Sequence, residues 1–309
     1  MNNDTASSAV AIFLSCYNGA EFLNAQLDSL LAQDHQNFCV YCRDDGSSDG
    51  TQDIIQEYIS KYPTQFSWLQ GEDRNLKPCG SFASLMQDFL NSDRTADYFM
   101  FCDQDDVWLP NKISLSIEAI TAVAPELGDV PILVHSELKV VDESLGLISK
   151  SLSEYQGLLP GHNLFGRALI NSSVTGCTML FNRQLLDRSL PIPEEAVMHD
   201  WWLALIAQAF GKIVFIRQPT IQYRQHGANT LGAKQKTGLS SDLGIHKKLY
   251  LWLFSSHDLN YVCDQSRAFM GQHGKTLSLY QRWVLRFSLL LNMRAGLFQK
   301  LVYRIVRKL

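Results

Sequence analysis

Residues 38–51 read FCVYCRDDGSSDGT and residues 98–108 read YFMFCDQDDVW, so in both segments a short apolar run leads into a cluster of acids. Short apolar runs rich in aromatic residues predict buried strands of a parallel sheet. Ligands of open α/β sheets bind beyond the carboxyl ends of the strands, so we expect both acidic clusters at the same edge. Crowded carboxylates raise one another's pKa unless a cation holds them, and hard divalent cations with phosphate ligands prefer oxygen donors. The pattern therefore predicts a metal-assisted site for a nucleotide or another diphosphate.

The sequence up to Pro131 alternates between strand-like and helix-like patterns. Strands are predicted at 10–14, 38–42, 66–69 and 97–102, and helices at 21–33, 51–60, 80–91 and 111–123. This alternation is typical of a parallel sheet with helices on both faces. After Pro131 the pattern is mixed. It predicts a strand at 132–141, helices near 163–170 and 199–210, and strands near 212–217 and 220–224.

Composition and charge suggest an α/β body with a basic tail. The 309 residues, 46% of them apolar and 19% charged, suit one large domain or one domain with an appendage. We expect an α/β domain over 1–230, a linker over 231–244 and a basic helical region over 245–309. Residues 265–309 carry nine Lys or Arg residues and no acid, although the whole chain has a formal net charge of −4. This polarity predicts an anionic surface as partner of the tail, whereas the acidic body argues against nucleic-acid binding.

We expect no targeting signal in the sequence. Its first residues lack the basic region of a signal peptide, and no apolar run reaches the roughly 18–20 residues of a membrane span. We therefore expect a protein that is not exported, with seven reduced cysteines. Cys39 and Cys42 form a CxxC pattern, but residues three apart on a strand point to opposite faces, which favours core thiols over a zinc site.

Both acidic clusters also have a structural interpretation. Asp44 and Asp45 either belong to a tight turn, as we expect for residues 49–51, or accept hydrogen bonds from a base or ribose. The acids of 103–106 would suit a solvated helix N-terminus. The next helix is predicted to begin only after Pro110, however, so three acids directly behind a buried strand favour a metal site.

Two later segments have alternative interpretations as well. Asp200 lies beside aromatic residues at a predicted helix start and is either an N-cap or a general base whose pKa is raised by those residues. The segment 223–229 contains Arg224 and His226. It is either a surface loop or a flexible element that closes over a diphosphate.

Taken together, these motifs resemble family 2 glycosyltransferases and, more narrowly, the bacterial rhamnosyltransferases that build cell-surface polysaccharides. The resemblance covers about residues 9–230. It is carried by six segments in the family's order, namely 15–19, 44–51, 103–108, 174–179, 199–201 and 223–229. One departure is Asn75-Leu76-Lys77, where many relatives have glycine at the position of Lys77.

The resemblance implies a GT-A fold, a Rossmann-like and mostly parallel central sheet with helices on both faces, plus the C-terminal helical region. It also implies inverting transfer of a sugar from a nucleotide donor with the help of Mg²⁺ or Mn²⁺. The residue roles it implies are Tyr17, Asp44 and Asp45 at the base, Asp103 at the ribose, Arg224 at the donor, Asp105, Asp106 and His226 at the metal and diphosphate, and Asp200 as the base that deprotonates the acceptor.

The resemblance favours dTDP-L-rhamnose as donor and a glycan or glycolipid, commonly lipid-linked, as acceptor. A UDP-hexose or UDP-N-acetylhexosamine donor is the alternative, and a non-catalytic scaffold is a more distant one. Apolar residues at helical spacing within the basic residues 278–307 predict either peripheral attachment to the inner face of the plasma membrane or packing on the domain or a second subunit. We expect a cytoplasmic, membrane-associated enzyme and leave a homodimer open.

Overall fold

The structure is a computed structural model, and it describes residues 8–69, 74–158, 164–227, 258–293 and 296–309. The linker expected at 231–244, the first part of the expected C-terminal region (245–257) and the end of the segment 223–229 lie outside the described residues.

Strands and helices alternate through the first half of the chain, as predicted. The strands are β1 (Val10–Cys16), β2 (Phe38–Asp44), β3 (Phe66–Trp68), β4 (Tyr98–Asp103), β5 (Val107–Trp108), β6 (Ile132–Val141), β7 (Leu147–Ser149), β8 (Met179–Asn182) and β9 (Lys212–Arg224). The α-helices are α1 (Ala20–Leu31), α2 (Thr51–Lys61), α3 (Lys77–Leu90), α4 (Lys112–Leu127), α5 (Leu152–Gln156), α6 (Phe165–Ile170), α7 (Arg183–Ser189), α8 (His199–Phe210), α9 (Asn260–His273), α10 (Leu279–Ser288) and α11 (Gly296–Val306). Short 3₁₀ turns lie at Gly176–Thr178 and Leu289–Asn292.

The described strands form one sheet in the order β3-β2-β1-β4-β8-β6-β9-β5, with β7 paired to β6. Pairing is parallel from β3 through β4 and between β6 and β9, whereas β8, β5 and β7 pair antiparallel. On either side of β1, Cys16 is opposite Asp44 of β2 and Ser15 is opposite Asp103 of β4. The two acidic clusters therefore follow the same edge of the sheet, as the sequence predicts.

Alternate residues along the central strands fill two cores, one on each face of the sheet, because successive strand side chains point to opposite faces. Phe13 and Phe99 are fully buried on one face, with ring centroids 6.0 Å apart. Ile12 and Met100 are fully buried in the core on the other face. Residues 10–14 of β1 and 98–102 of β4 are thus apolar at every position because both faces are covered.

The C-terminal helices pack on the α/β body. Phe269 of α9 lies edge-on to Trp202 of α8, with centroids 5.3 Å apart, and both rings are buried. The end of α11 meets α6 so closely that a Cβ on Gly166 would lie 2.2 Å from the carbonyl oxygen of Val306. Val284 and Val302 are buried in the same core. Among the described helices, none combines the length and apolarity needed to cross a bilayer.

Most predicted bounds shift by a few residues at an end, and two differences have a structural cause. The strands predicted at 212–217 and 220–224 are a single strand, β9, whose pairing with β6 shifts register near Pro219. Helix α3 begins at Lys77 rather than at residue 80, because the Asp45 carboxylate, in the turn that follows β2, binds the backbone at its start.

Candidate active site

A cavity of about 330 Å³ opens where β1, β2 and β4 end. Several predicted site residues line it, namely Tyr17, Asp45, Asp103, Asp105 and Asp200. Asp44, Asp106, Arg224 and His226 are outside its lining. The cavity thus brings together residues from the two acidic clusters and from the start of α8, which are far apart in the sequence.

Tyr17 stands at the cavity with a ring that is 52% exposed. Its backbone is held by the Gln104 side chain, whose Oε1 accepts from Tyr17 N at 2.7 Å and whose Nε2 donates to Tyr17 O at 3.0 Å. The contact requires glycine at position 19, because a Cβ there would lie 2.3 Å from Gln104 Oε1. An anchored backbone with an exposed ring suits stacking on a planar ligand.

Asp45 is buried and binds the loop that enters α3. Its carboxylate accepts from Leu76 N at 2.9 and 3.0 Å and from Lys77 N at 2.9 Å. Arg43 Nη2 donates to it at 3.2 Å. These contacts explain why α3 begins early. They also leave Asp45 facing the cavity with most of its hydrogen-bonding capacity already used.

Asp44 shapes the turn after β2. Its Oδ2 accepts from Ser47 N at 2.9 Å and from Gln52 Nε2 at 2.7 Å. Ser47 Oγ also donates to Oδ1. The described contacts of Asp44 are those expected of a residue in a tight turn. Its carboxylate is not part of the cavity lining.

The second cluster divides between the cavity and the interior. Asp103 and Asp105 line the cavity, whereas Asp106 is fully buried, with Oδ1 accepting from Arg224 N at 3.1 Å. Burial, with the nearby carboxylates of Asp105 and Asp200, raises the pKa of Asp103 to about 7. Burial and the same crowding raise the pKa of Asp106 well above its usual value. Such carboxylates are stabilised in their charged form by a cation.

A metal ion fits these residues. Asp103, Asp106 and Cys177 each offer a ligand atom, and the three atoms lie within 4.8 Å of one another. The buried Oδ2 of Asp106 has no hydrogen-bond partner among the described residues. Two carboxylates at one edge of the cavity, with a third behind them, match the preference of Mg²⁺ or Mn²⁺ for oxygen ligands. Cys177 is a softer ligand that the sequence analysis did not single out.

Arg224 and His226 support this cluster from behind. Arg224 Nε donates to the carbonyl oxygen of Asp105 at 2.8 Å, and its guanidinium lies 4.6 Å from the ring centroid of Phe22. His226 Nε2 lies 2.8 Å from Asp105 Oδ2, with its ring packed on the same Phe22. Both side chains therefore fix the position of Asp105, and they lie behind it, outside the cavity lining.

Asp200 lies in the first turn of α8, but it is not the N-cap that the structural alternative expected. Met198 occupies the N-cap position, without a side-chain cap. The Asp200 carboxylate accepts from Gly176 N at 2.8 Å and from Trp201 N at 2.6 Å. Burial nevertheless raises its pKa to about 6, with these backbone hydrogen bonds acting in the opposite direction. A carboxylate that titrates near neutrality suits a general base.

Several cavity residues were not assigned a role from the sequence. Lys77, Phe82, Gly176 and His199 line it, and the His199 and Phe82 ring centroids are 4.2 Å apart. From the sequence, Gly176 is indicated only as part of the segment 174–179 that carries the family resemblance. Its contact with Asp200 spans 24 positions, which no local pattern indicates.

The comparison with known families assigns the chain. The model of glycosyl transferase family 2 matches residues 11–188, more than half of the sequence. The chain belongs to glycosyl transferase family 2. Its α/β sheet, the cavity at the strand ends and the C-terminal helices are those of a GT-A glycosyltransferase with a nucleotide-sugar-binding fold.

Relatives of this glycosyltransferase include the dTDP-rhamnosyl transferase RfbG of Shigella flexneri, 25% identical over 228 residues that cover 71% of this chain and 74% of RfbG. An uncharacterized glycosyltransferase of Rickettsia prowazekii is 28% identical over 235 residues, covering 74% of this chain and 68% of the relative. The structure of S. aureus TarS 1-349 in complex with UDP-GlcNAc has a TM-score of 0.53 and 16% identity, and the match covers 97% of this chain and 90% of TarS 1-349. At that identity, the likeness to TarS shows the fold alone.

Proposed function

We propose that this glycosyltransferase moves L-rhamnose from dTDP-L-rhamnose onto a hydroxyl of a growing cell-surface polysaccharide, with inversion at the anomeric carbon. The observation that carries the proposal is the shared cavity. It contains Asp103 and Asp105, which suit a cation-bound diphosphate, together with Asp200, a carboxylate of raised pKa. One displacement in such a site requires one base and no covalent nucleophile.

The proposed reaction assigns one proton transfer to Asp200. A sugar hydroxyl is a weak nucleophile at neutral pH, so the ionised carboxylate takes its proton as the hydroxyl oxygen bonds to the anomeric carbon. The bond from that carbon to the diphosphate oxygen breaks at the same time, which inverts the configuration. The hydrogen bond from Gly176 N, at 2.8 Å, orients the carboxylate for this role.

Asp103, Asp105 and Asp106 are the residues we propose to hold Mg²⁺ or Mn²⁺ at the cavity, with His226 and Arg224 fixing Asp105. When bound, the ion offsets the negative charge that develops on the leaving diphosphate. Tyr17 and Asp45 are proposed to contact the base, and Asp103 also the ribose. Asp44 contributes to base binding only through the turn that it stabilises.

The choice of rhamnose is supported by two observations. The relative RfbG bears the name dTDP-rhamnosyl transferase at 25% identity. Pro78, Phe82 and Met198 line the cavity that also contains Asp200, and this apolar surface suits the C6 methyl group of a 6-deoxyhexose. A UDP-hexose or UDP-N-acetylhexosamine donor is the alternative, and its C6 hydroxyl would find fewer polar partners there.

A donor screen tests this function. The full chain is incubated with dTDP-L-rhamnose, UDP-glucose and UDP-N-acetylglucosamine, with Mg²⁺, Mn²⁺ or EDTA, and released nucleoside diphosphate is measured. We expect metal-dependent release with dTDP-L-rhamnose at the highest kcat/KM. Preference for a UDP sugar would select the alternative donor. If nucleotide sugars bind but are neither hydrolysed nor transferred to a glycan acceptor extract, the protein would be the non-catalytic scaffold.

We also propose that the enzyme attaches peripherally to the cytoplasmic face of the plasma membrane, where a lipid-linked glycan or glycolipid acceptor would lie. Large apolar side chains remain exposed on and between α10 and α11, namely Leu279, Tyr280, Trp283, Met293, Leu297, Phe298 and Leu301. Exposed basic residues on these helices are Arg286 and Arg304, and Arg307 and Lys308 follow directly after α11. We call these eleven residues the tail surface. Basic residues near an anionic leaflet contribute about 1 kcal/mol each, and exposed aromatic residues enter the interface.

Vesicle binding tests the tail surface. The double variant Trp283→Ser, Leu301→Ser is compared with Leu147→Ser, Ile148→Ser, which removes equally exposed apolar side chains from β7. At low salt we expect the first variant to lose most of its binding to phosphatidylglycerol vesicles and the second to bind like the parent. Equal binding by both variants would refute attachment through the tail surface. A change from dimer to monomer in the first variant would instead identify a subunit interface.

A further inference from the structure

Lys77 has a backbone conformation that L-amino acids rarely adopt. Its φ is +61°, in the left-handed region where a side chain is strained and glycine is favoured. It also precedes Pro78, and a proline pushes the preceding residue toward extended conformations. Glycine at position 77 would relieve the first of these constraints without changing the course of the chain. The presence of lysine therefore calls for a reason beyond the backbone.

The conformation is imposed by residues of the cavity itself. Lys77 N donates to Asp45 Oδ2 at 2.9 Å and to Asn75 Oδ1 at 3.2 Å. Asn75 Nδ2 in turn donates to the carbonyl oxygen of Asp45 at 2.8 Å. Strained residues that are held this firmly occur chiefly at binding and active sites. The hydrogen bonds fix the direction in which the Lys77 side chain leaves the backbone.

The side chain of Lys77 lies at the cavity and is exposed. Among the described lining residues it is the one Lys or Arg, whereas the same lining includes the carboxylates of Asp45, Asp103, Asp105 and Asp200. No described carboxylate lies within ion-pair distance of its ammonium group. A lysine without a protein partner, on the rim of a cavity where a cation would neutralise the acids, is suited to an anionic ligand.

We infer that Lys77 binds a phosphate of the nucleoside diphosphate, an assignment that rests on the proposed nucleotide-sugar donor. The ammonium donates a charge-assisted hydrogen bond to a phosphate oxygen, and the left-handed backbone at residue 77 positions it to do so. The backbone strain at Lys77 lowers the stability of the free protein, and phosphate binding by the side chain offsets this cost in the complex. Replacement of Lys77 by glycine is therefore expected to lower diphosphate affinity without lowering the stability of the free protein.

The test uses Lys77→Met, Lys77→Gly and Lys77→Arg in the full chain, with Lys150→Met as a matched loss of one exposed charge outside the cavity lining. Binding of dTDP, UDP and thymidine is measured by calorimetry in the presence of Mg²⁺. We expect Lys77→Met and Lys77→Gly to weaken diphosphate binding about tenfold, with thymidine affinity changed less than about twofold. Lys77→Arg keeps most of the affinity, and Lys150→Met keeps all of it.

Thermal unfolding without ligand supplies the second measurement. Lys77→Gly should keep the Tm or raise it by up to about 3 °C, because relief of left-handed strain offsets the entropy of glycine. Parental diphosphate affinity in Lys77→Met would overturn the assignment, as would equal losses for thymidine and dTDP, which would indicate a role in loop shape. If the parent binds neither dTDP nor UDP, the proposed function itself fails together with this inference.

Discussion

Replacement of Asp200 by asparagine should separate proton transfer from donor binding. Gly176 N and Trp201 N bind different oxygens of the Asp200 carboxylate, Oδ2 at 2.8 Å and Oδ1 at 2.6 Å. The single oxygen of asparagine can keep the hydrogen bond from Gly176 N, and loss of the one from Trp201 N costs only about 1–3 kcal/mol of stability. We therefore expect a folded protein with donor affinity within about threefold of the parent. Turnover should fall about 10²–10⁴-fold, equivalent to about 3–5 kcal/mol of activation free energy, because an amide cannot take the acceptor proton.

The pH dependence follows from the same residue. With a pKa of about 6 for Asp200, activity is retained above pH 6 and lost below it, because only the ionised carboxylate accepts a proton. About one tenth of the carboxylate is ionised at pH 5, so kcat should fall about tenfold between pH 7 and pH 5. The matched control is Asp187→Asn, which removes an exposed acid paired with Arg183 and should leave kcat unchanged.

The assays are steady-state transfer from pH 5 to pH 8 and donor calorimetry at pH 7.5. Retention of kcat within about threefold in Asp200→Asn would refute the assignment of the general base. Loss of donor affinity in that variant would make Asp200 a binding residue. If the residual kcat of Asp200→Asn still falls at acid pH as it does in the parent, the group that titrates would be another residue, such as Asp103, whose pKa is about 7.

Three further substitutions test the remaining assignments. Asp105→Asn should lower metal-dependent turnover at least tenfold in a Mn²⁺ titration, and full activity at the parental Mn²⁺ requirement would contradict its role as ligand. Asp44→Ala should cost about 1–2 kcal/mol in urea unfolding because the turn loses its acceptor, yet keep donor affinity; the opposite pattern would return Asp44 to the donor site. Trp202→Ala should cost about 3–5 kcal/mol in the same unfolding measurement, because the buried ring leaves a void beside Phe269; a cost below about 1 kcal/mol would show that α9 packs loosely on α8.

The fold was readable from the sequence where hydrophobic periodicity dominates. Residues 10–14 of β1 are apolar at every position, because helices cover both faces of the sheet, and few other structures suit such a run. The start of α3 was not readable, because it depends on Asp45, which lies in the turn after β2, 32 positions earlier in the sequence. The continuity of β9 across Pro219 was also missed. Proline predicts a break in a strand, and the register shift that accommodates it depends on the pairing with β6.

The acidic clusters were readable as a group but not residue by residue. Their position at one strand edge follows from parallel pairing alone. Which carboxylate faces the cavity depends on the backbone after the strand ends, and there Asp105 faces the cavity while the next residue, Asp106, is fully buried. Arg224 illustrates the same difficulty. The resemblance implies that Arg224 reaches the donor, but its Nε donates to the carbonyl oxygen of Asp105.

The C-terminal helices show why helical spacing alone could not decide between membrane attachment and packing. Val284 and Val302 are buried on the α/β body, whereas Trp283 and Leu301, one position before each, are exposed. Both helices therefore have an apolar face for the body and further apolar side chains left for a partner, so the two interpretations are compatible.

Because the C-terminal helices both pack on the α/β body and expose apolar side chains, membrane attachment must be tested by substitution and not by truncation. Burial of a valine side chain contributes about 1.5–3 kcal/mol, so deletion of residues 278–309 would expose the core around Val284, Leu285 and Val306. Helix α9 would lose its neighbours as well, and Gln265 of that helix accepts a hydrogen bond from Val197 N at 3.0 Å, three residues before Asp200. Loss of vesicle binding in a truncated chain would therefore be inseparable from damage to the site. Only substitutions confined to exposed side chains of the tail surface can assign membrane attachment to it.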